Sequence, residues 1–280
     1  MTTMDASTMD SSTTDAGSGR TVYGVDDASQ LVKFNTSAPG TVTKVALTGL
    51  GAGTTALAID FRPATSMLYA LASDGKVYTI ATATGAATAV AGDPGIPTFP
   101  VVLDVTATSF GFDFNPVGDR IRIHSNTGQN LRLHPIDGKS VNVVPPGDGT
   151  LTYMSDMTTA TIVGTAYTNS VNPKPIATTL YGIDARLDQL VTFAGPPGFT
   201  AVTAVGKLGI DVEDAAGFDI YGGMGGGDGG VVVDKPLEAY AALRVAGALS
   251  LYRINLMTGA ATSAGSIGHD KALRGIAIEP

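Results

Sequence analysis

Cysteine is absent from the 280 residues. That removes disulfides, thiolate metal sites and cysteine nucleophiles together. It leaves the compartment open, because exported proteins can also lack cysteine. Charge is scarce as well, at 15% of residues against the ~25% usual in globular domains. Lys and Arg number 17 against 25 Asp and Glu, for a net charge of −8, and no basic patch is visible. A phosphate-binding surface needs such a patch, so nucleic acid is excluded as a partner. No apolar run approaches the ~18 residues of a membrane span, so no transmembrane segment is expected. H-E-x-x-H, G-x-S-x-G and P-loop motifs are missing too, which leaves no ready-made catalytic signature.

What is abundant is small and turn-forming. The chain holds 36 Gly and 15 Pro and is 44% hydrophobic, as many short strands joined by tight turns would require. Residues 1–20 (MTTMDASTMDSSTTDAGSGR) contain no aromatic and no β-branched apolar side chain. They cannot bury enough apolar surface to offset the entropy of ordering, and they read as a disordered tether ahead of one domain over 21–280. A tether of this kind often follows a cleaved export signal. The chain is therefore expected to be exported (periplasmic, cell-surface or extracellular), with the signal segment outside these residues.

The remaining residues repeat. ALAIDFRP, SFGFDFNP, IVGTAYTN, AAGFDIYG and LRGIAIEP centre on Asp60, Asp113, Ala166, Asp219 and Ala277, at intervals of 53, 53, 53 and 58 residues. A second register matches Val77–Thr88 to Leu251–Thr262, and a third matches Val22–Phe34 to Leu180–Phe193. The unit reads most clearly over Ser109–Val144. An alternating strand ends in Asn115-Pro116, and further strands are expected at Arg120–Ser125, Asn130–His134 and Ser140–Val144. The fifth unit is split, with its first strand at Leu273–Ile278 and the other three at Val22–Val25, Leu31–Asn35 and Val42–Ala46. An array whose last unit is completed by the start of the chain is a closed ring. The fold expected is an all-β, five-bladed β-propeller with four antiparallel strands per blade, the last blade closed by the N- and C-terminal strands.

Three groups of residues carry candidate chemistry. Asp60, Asp113 and Asp219 occupy one position in three of the five innermost strands, so they converge on the axis. They could hold a hard cation such as Ca²⁺ in the central channel, act as a general acid/base set, or bond a neighbouring blade's backbone or a buried Arg. No other cofactor is expected. Arg120, Arg122 and His124 share one face of a strand, and Asn130, Arg132 and His134 share one face of the next. The sister unit has Met67, Tyr69 and Leu71 where the first three stand. Such a stripe could take an anionic or sugar ligand, or it could form internal ion pairs, most simply Arg122 with Asp113. With only His269 besides these two histidines, a zinc site is not expected. The glycines over 222–230 formally fit G-x-G-x-x-G without a helix to follow, and read as a flexible loop. The insertions 168–178 and 221–237 should enlarge one rim, and the connectors 93–108 and 145–161 should leave from the opposite face.

Gly111–Gly138 (GFDFNPVGDRIRIHSNTGQNLRLHPIDG), with AYTN at 166–169 and TTLYGIDARLDQL at 178–190, resembles the bacterial family called domain of unknown function 4394. The resemblance covers about residues 21–280 and implies an exported or surface protein with a propeller-like repeat. It implies no activity, cofactor or catalytic residue. The expectation is a non-enzymatic, monomeric binding module for a small molecule, glycan or protein, with its site at a channel mouth or rim. The alternatives are a carbohydrate-active hydrolase using the axial carboxylates, and a structural or adhesive spacer.

Overall fold

The computed structural model describes residues 19–90, 101–141, 148–213, 216–226 and 232–280. All regular structure there is strand. The chain opens with β1 (Thr21–Asp26), β2 (Gln30–Asn35) and β3 (Ala38–Ala46). Blade 1 is β4 (Ala56–Arg62), β5 (Met67–Ala72), β6 (Val77–Ala81) and β7 (Ala86–Ala89). Blade 2 is β8 (Phe110–Asn115), β9 (Arg120–Ser125) and β10 (Asn130–Leu133). Blade 3 takes β11 (Thr152–Tyr153), β12 (Ile162–Tyr167), β13 (Leu180–Asp184), β14 (Gln189–Ala194) and β15 (Ala201–Lys207). Blade 4 is β16 (Ala216–Gly225), β17 (Val233–Val245), β18 (Ala248–Ile254) and β19 (Ala261–Ser266). Finally β20 (Leu273–Ile278) pairs antiparallel with β1, giving a sheet in the order β20-β1-β2-β3. The innermost strands β4, β8, β12, β16 and β20 touch in succession, and β20 touches β4. The five sheets therefore form a ring, a five-bladed β-propeller.

Two blades depart from the four-strand pattern. In blade 2 the expected fourth strand appears only as a bridge between Leu133 and Ser140, and residues 142–147 lie outside the described residues. In blade 3 the connector from blade 2 adds β11, parallel to β15, as a fifth strand. Leu151 and Tyr153 of this connector are buried, and Tyr153 Oη donates to Asp184 at 2.6 Å. These apolar anchors had no counterpart in the repeat register, so a plain connector was expected.

The N-terminal boundary also shifts. Residues 1–18 lie outside the described residues, but Arg20 belongs to the ring. Its backbone N–H donates to Thr36 Oγ1 at 2.9 Å, and its guanidinium pairs with Glu238 of blade 4 at 2.8 Å. Arg20 is the first long charged side chain after the Ser/Thr/Asp-rich segment, and it finds a partner on the adjacent blade.

The axis is built from small residues. Ala58, Gly111, Gly164, Gly217 and Gly275 hold the same register in the five inner strands and line a space of only about 10 Å³ with their neighbours. A Cβ on Gly217 would stand 2.5 Å from the backbone nitrogen of Ile276, and one on Gly111 would stand 2.3 Å from Thr165 Oγ1. At Gly111 and Gly217 only hydrogen fits between the converging blades.

Away from the axis, blades pack face to face through side chains. Buried apolar clusters join blade 5 to blade 1, blade 1 to blade 2, blade 3 to blade 4, and blade 4 to blade 5. The cluster on the face of blade 3 that looks toward blade 2 contains Leu151, Tyr153, Tyr167, Leu180 and Phe193, and it recruits no side chain from blade 2. Blade 2 spends its own aliphatic and Phe side chains on blade 1. Its other face carries the polar stripe.

Candidate ligand site between blades 2 and 3

Register places the stripe. β9 pairs with β10 so that Asn130 opposes His124 and Arg132 opposes Arg122, and with β8 so that Asp113 opposes Arg122. Opposed residues of an antiparallel pair share a face. The repeat makes the substitution visible. Between blades 1 and 2, Tyr69 and Phe114 pack edge to face at 5.0 Å. The equivalent residues between blades 2 and 3 are Arg122 and Tyr167.

Arg122 is buried, with 2% of its side chain exposed, and it pairs with Asp148 at 2.7 Å, not with Asp113. This corrects the expected partner. The guanidinium also donates to Asn130 Oδ1 (2.7 Å), Pro197 O (2.7 Å) and Gly198 O (3.1 Å), and it lies over the Phe199 ring. It therefore reaches across to the β14–β15 turn of blade 3. Asp113, on the axial strand, is held instead by the backbone N–H of Tyr167. Asp148 also receives Arg132 at 3.3 Å.

The other stripe residues divide. Asn130 donates to Gly198 O at 2.8 Å. His124 is buried, 3.0 Å from Thr165 Oγ1 and stacked on Phe193. Burial, reinforced by the Arg122 charge, holds its imidazole well below the ordinary pKa and keeps it neutral. Arg120 caps its own turn through the carbonyls of Asp119 (2.8 Å) and Gly118 (3.3 Å). His134 faces Asp137 at 3.7 Å on the periphery, apart from the rest. Asp148, Tyr167 and the turn over 196–199 complete the group. Sequence gave no signal for Asp148, which sits in a connector outside the repeat.

A cleft of about 380 Å³ opens here, lined by Arg120, Arg122 and Arg132 together with Tyr167, Phe199 and Ile176. Ile176 comes from the 168–178 insertion of blade 3. That insertion is braced by blade 4, where Met224 N donates to Asn169 Oδ1 (3.1 Å) and Gly226 N to Lys174 O (3.2 Å). Gly222–Gly225 thus belong to β16 rather than to a loop. Residues 227–231 lie outside the described residues.

Tyr167 Oη is buried beside Arg122 and Asn115, yet it makes no hydrogen bond of normal geometry. Burial pushes its pKa up. At this register the other inner strands carry Phe61, Phe114, Ile220 and Ile278. Packing alone is satisfied there without a hydroxyl.

Asp60, Asp113 and Asp219 do meet at the axis. Each offers an oxygen, and these oxygens lie within 4.8 Å of one another. Asp60 accepts from the N–H groups of Phe61 (2.7 Å) and of Phe114 in the next blade (2.8 Å). Asp219 accepts from Ile220 and from Ile278 of the next blade, both at 2.6 Å. Burial, with repulsion from Asp219, pushes Asp60 well above the usual carboxylate range. Burial with both neighbouring charges does the same to Asp113, and burial pushes Asp219 up to about 6.

The family model for a domain of unknown function (DUF4394) matches residues 30–277. No curated protein matches the chain in sequence. Among solved structures, a protein of unknown function from Bacteroides thetaiotaomicron is 11% identical with a TM-score of 0.46, covering 89% of this chain and 58% of its own. PorZ, a surface component of the type-IX secretion system of Porphyromonas gingivalis, is 13% identical with a TM-score of 0.39, covering 88% and 28%. A chain of a nidogen/laminin complex is 11% identical with a TM-score of 0.47, covering 94% and 99%. This chain thus spans 58% and 28% of the first two proteins. At these scores the likenesses carry no functional argument.

Proposed function

The chain belongs to the DUF4394 family, which brings no activity with it, and we propose from the geometry that it is a non-enzymatic binding module for a small carboxylate-bearing ligand such as a uronic acid. The site is the cleft between blades 2 and 3. The observation that carries this reading is the set of arginines in the one inter-blade face without a shared apolar cluster among the described residues, where the buried hydroxyl of Tyr167 lies beside Arg122 and Asn115 without a well-formed hydrogen bond. A buried hydroxyl left unbonded costs about 1–3 kcal/mol, which a ligand oxygen would recover. Three arginines line the cleft against Asp148, and Asp119 beside Arg120 is already paired with Arg62, which leaves the cleft cationic within an acidic protein. Arg120 is the most available of them, because its present acceptors are carbonyls of its own turn. Guanidinium groups bind carboxylates in a bidentate manner, and Phe199 and Ile176 offer apolar contact to a sugar face.

The axial carboxylates favour hydrolysis less. They are 2–6% exposed and are tied to backbone N–H groups, whereas glycosidase carboxyls flank an open cleft at about 5–9.5 Å. Function outside the cytoplasm is part of this proposal and rests on the composition of residues 1–20. No helix among the described residues is long and apolar enough to cross a membrane.

The test is calorimetric titration with galacturonate, glucuronate and neutral galactose. Binding of the acids, weakened by Tyr167→Phe and by Arg120→Gln while thermal stability holds, supports the proposal. Equal binding of the neutral sugar, or unchanged affinity in both variants, rejects it.

A further inference from the structure

We propose that Asp60, Asp113 and Asp219 form a Ca²⁺ site on the propeller axis, separate from the cleft. Oxygen ligands bind Ca²⁺ at 2.3–2.6 Å, so two ligands on opposite sides of the ion stand roughly 4.6–5.2 Å apart. The three carboxylates present oxygens within 4.8 Å of one another. One Ca²⁺ ion between them is compatible with that spacing.

The orphan atom is the second observation. Asp60 and Asp219 each have an N–H on both oxygens, one from their own strand and one from the next blade. Those bonds fix the carboxylates and leave lone pairs on each oxygen. Among the described residues, Asp113 is held by the Tyr167 N–H, and its Oδ1 is buried without a hydrogen-bond partner. An acceptor-only oxygen left bare at 2% exposure is costly, and a cation is the natural partner for it among two further carboxylates. No Lys or Arg pairs with any of the three among the described residues.

The site has three carboxylates rather than five. Blades 3 and 5 place Ala166 and Ala277 at this register. Five carboxylates would leave more excess negative charge around one divalent ion than three do.

The full chain, equilibrated with about 1 mM Ca²⁺ (the upper end for extracellular sites) and desalted, is expected to carry one calcium per chain by elemental analysis. Its Tm should fall when EDTA is added. Asp113→Asn keeps an acceptor for Tyr167 N–H and presents an amide to the two remaining carboxylates. It should fold, lose the bound calcium and show no difference in Tm between calcium and EDTA. Calcium well below one per chain in the wild type, with the same Tm in both buffers, overturns the proposal. So does an Asp113→Asn variant that still holds one calcium. Neither readout depends on the cleft, so failure here leaves the ligand proposal standing, and the converse holds.

Discussion

Replacing Asp148 by Ala removes the carboxylate that Arg122 and Arg132 share. Both members of the Arg122–Asp148 pair have 2% side-chain exposure, so water cannot take over the charge of Arg122. Breaking a buried pair from one side typically costs about 3–5 kcal/mol, because the other charge remains buried and uncompensated. Arg122 would keep three oxygen acceptors, Asn130 Oδ1, Pro197 O and Gly198 O, which places the expected loss near the lower end, about 3 kcal/mol. For a domain of this size that corresponds to a Tm lowered by roughly 6–12 °C. Urea denaturation followed by circular dichroism measures it, and constancy of the m-value confirms that the folded state is otherwise intact. The double variant R122M/D148L removes both charges and should recover most of the loss. A loss below about 1 kcal/mol for Asp148→Ala would mean that the Arg122 charge is solvated some other way, and the account of this interface would be wrong.

At the axial carboxylates, acidity should act in the opposite sense to ordinary acid denaturation. Asp219 has its pKa raised from 3.8 to about 6, so the folded state holds its proton more tightly than the unfolded chain. The Asp219 contribution to stability in EDTA should be greatest below the unfolded value and fall as pH rises from about 4 to 6, by about 3 kcal/mol. Asp60 and Asp113, shifted in the same direction, should extend the decline to higher pH. Buried, neutral His124, whose pKa is lowered, works the other way below about pH 6.5, so the Asp219 contribution is read as the difference between wild type and Asp219→Asn in urea midpoints at pH 4, 5, 6 and 7; a difference that does not shift against the wild type as pH rises would refute it. Asp119, whose pKa Arg62 lowers, works the other way, but in the range below about pH 4. Gly217→Ala places a methyl group 2.5 Å from Ile276 N. It should destabilise by at least about 1–3 kcal/mol, and a neutral result in thermal melts would mean that the inner strands are farther apart. Tyr167→Phe should leave stability unchanged or slightly higher, because it deletes an unpartnered buried hydroxyl; a clear loss in the same melts would show that the hydroxyl is bonded within the protein.

The ring was legible because its determinants recur. Strand alternation, turn glycines and the 53-residue register act locally in every blade, so each copy reinforces the others. The convergence of Asp60, Asp113 and Asp219 followed from the same register. The stripe on β9 and β10 was visible as a departure from Met67, Tyr69 and Leu71 in blade 1, but its partners were not. The short-range expectation paired Arg122 with Asp113, its neighbour across the strands. Asp113 is held near the axis by Tyr167, while the long Arg122 side chain reaches Asp148 and the carbonyls of Pro197 and Gly198. Those groups come from a connector and a turn of the next blade, and no repeat specifies them. β11 was missed for the same reason, since Leu151 and Tyr153 belong to no repeated unit. Ring symmetry makes the scaffold readable and leaves unrepeated segments, where this cleft lies, to the three-dimensional structure.

The most direct measurement is a crystal structure of the protein grown with a galacturonate oligosaccharide. The account predicts density for a carboxylate in the cleft between blades 2 and 3, within hydrogen-bonding distance of Arg120 and of Tyr167 Oη. A ligand ordered elsewhere on the ring, with Tyr167 Oη still unpartnered, would contradict it.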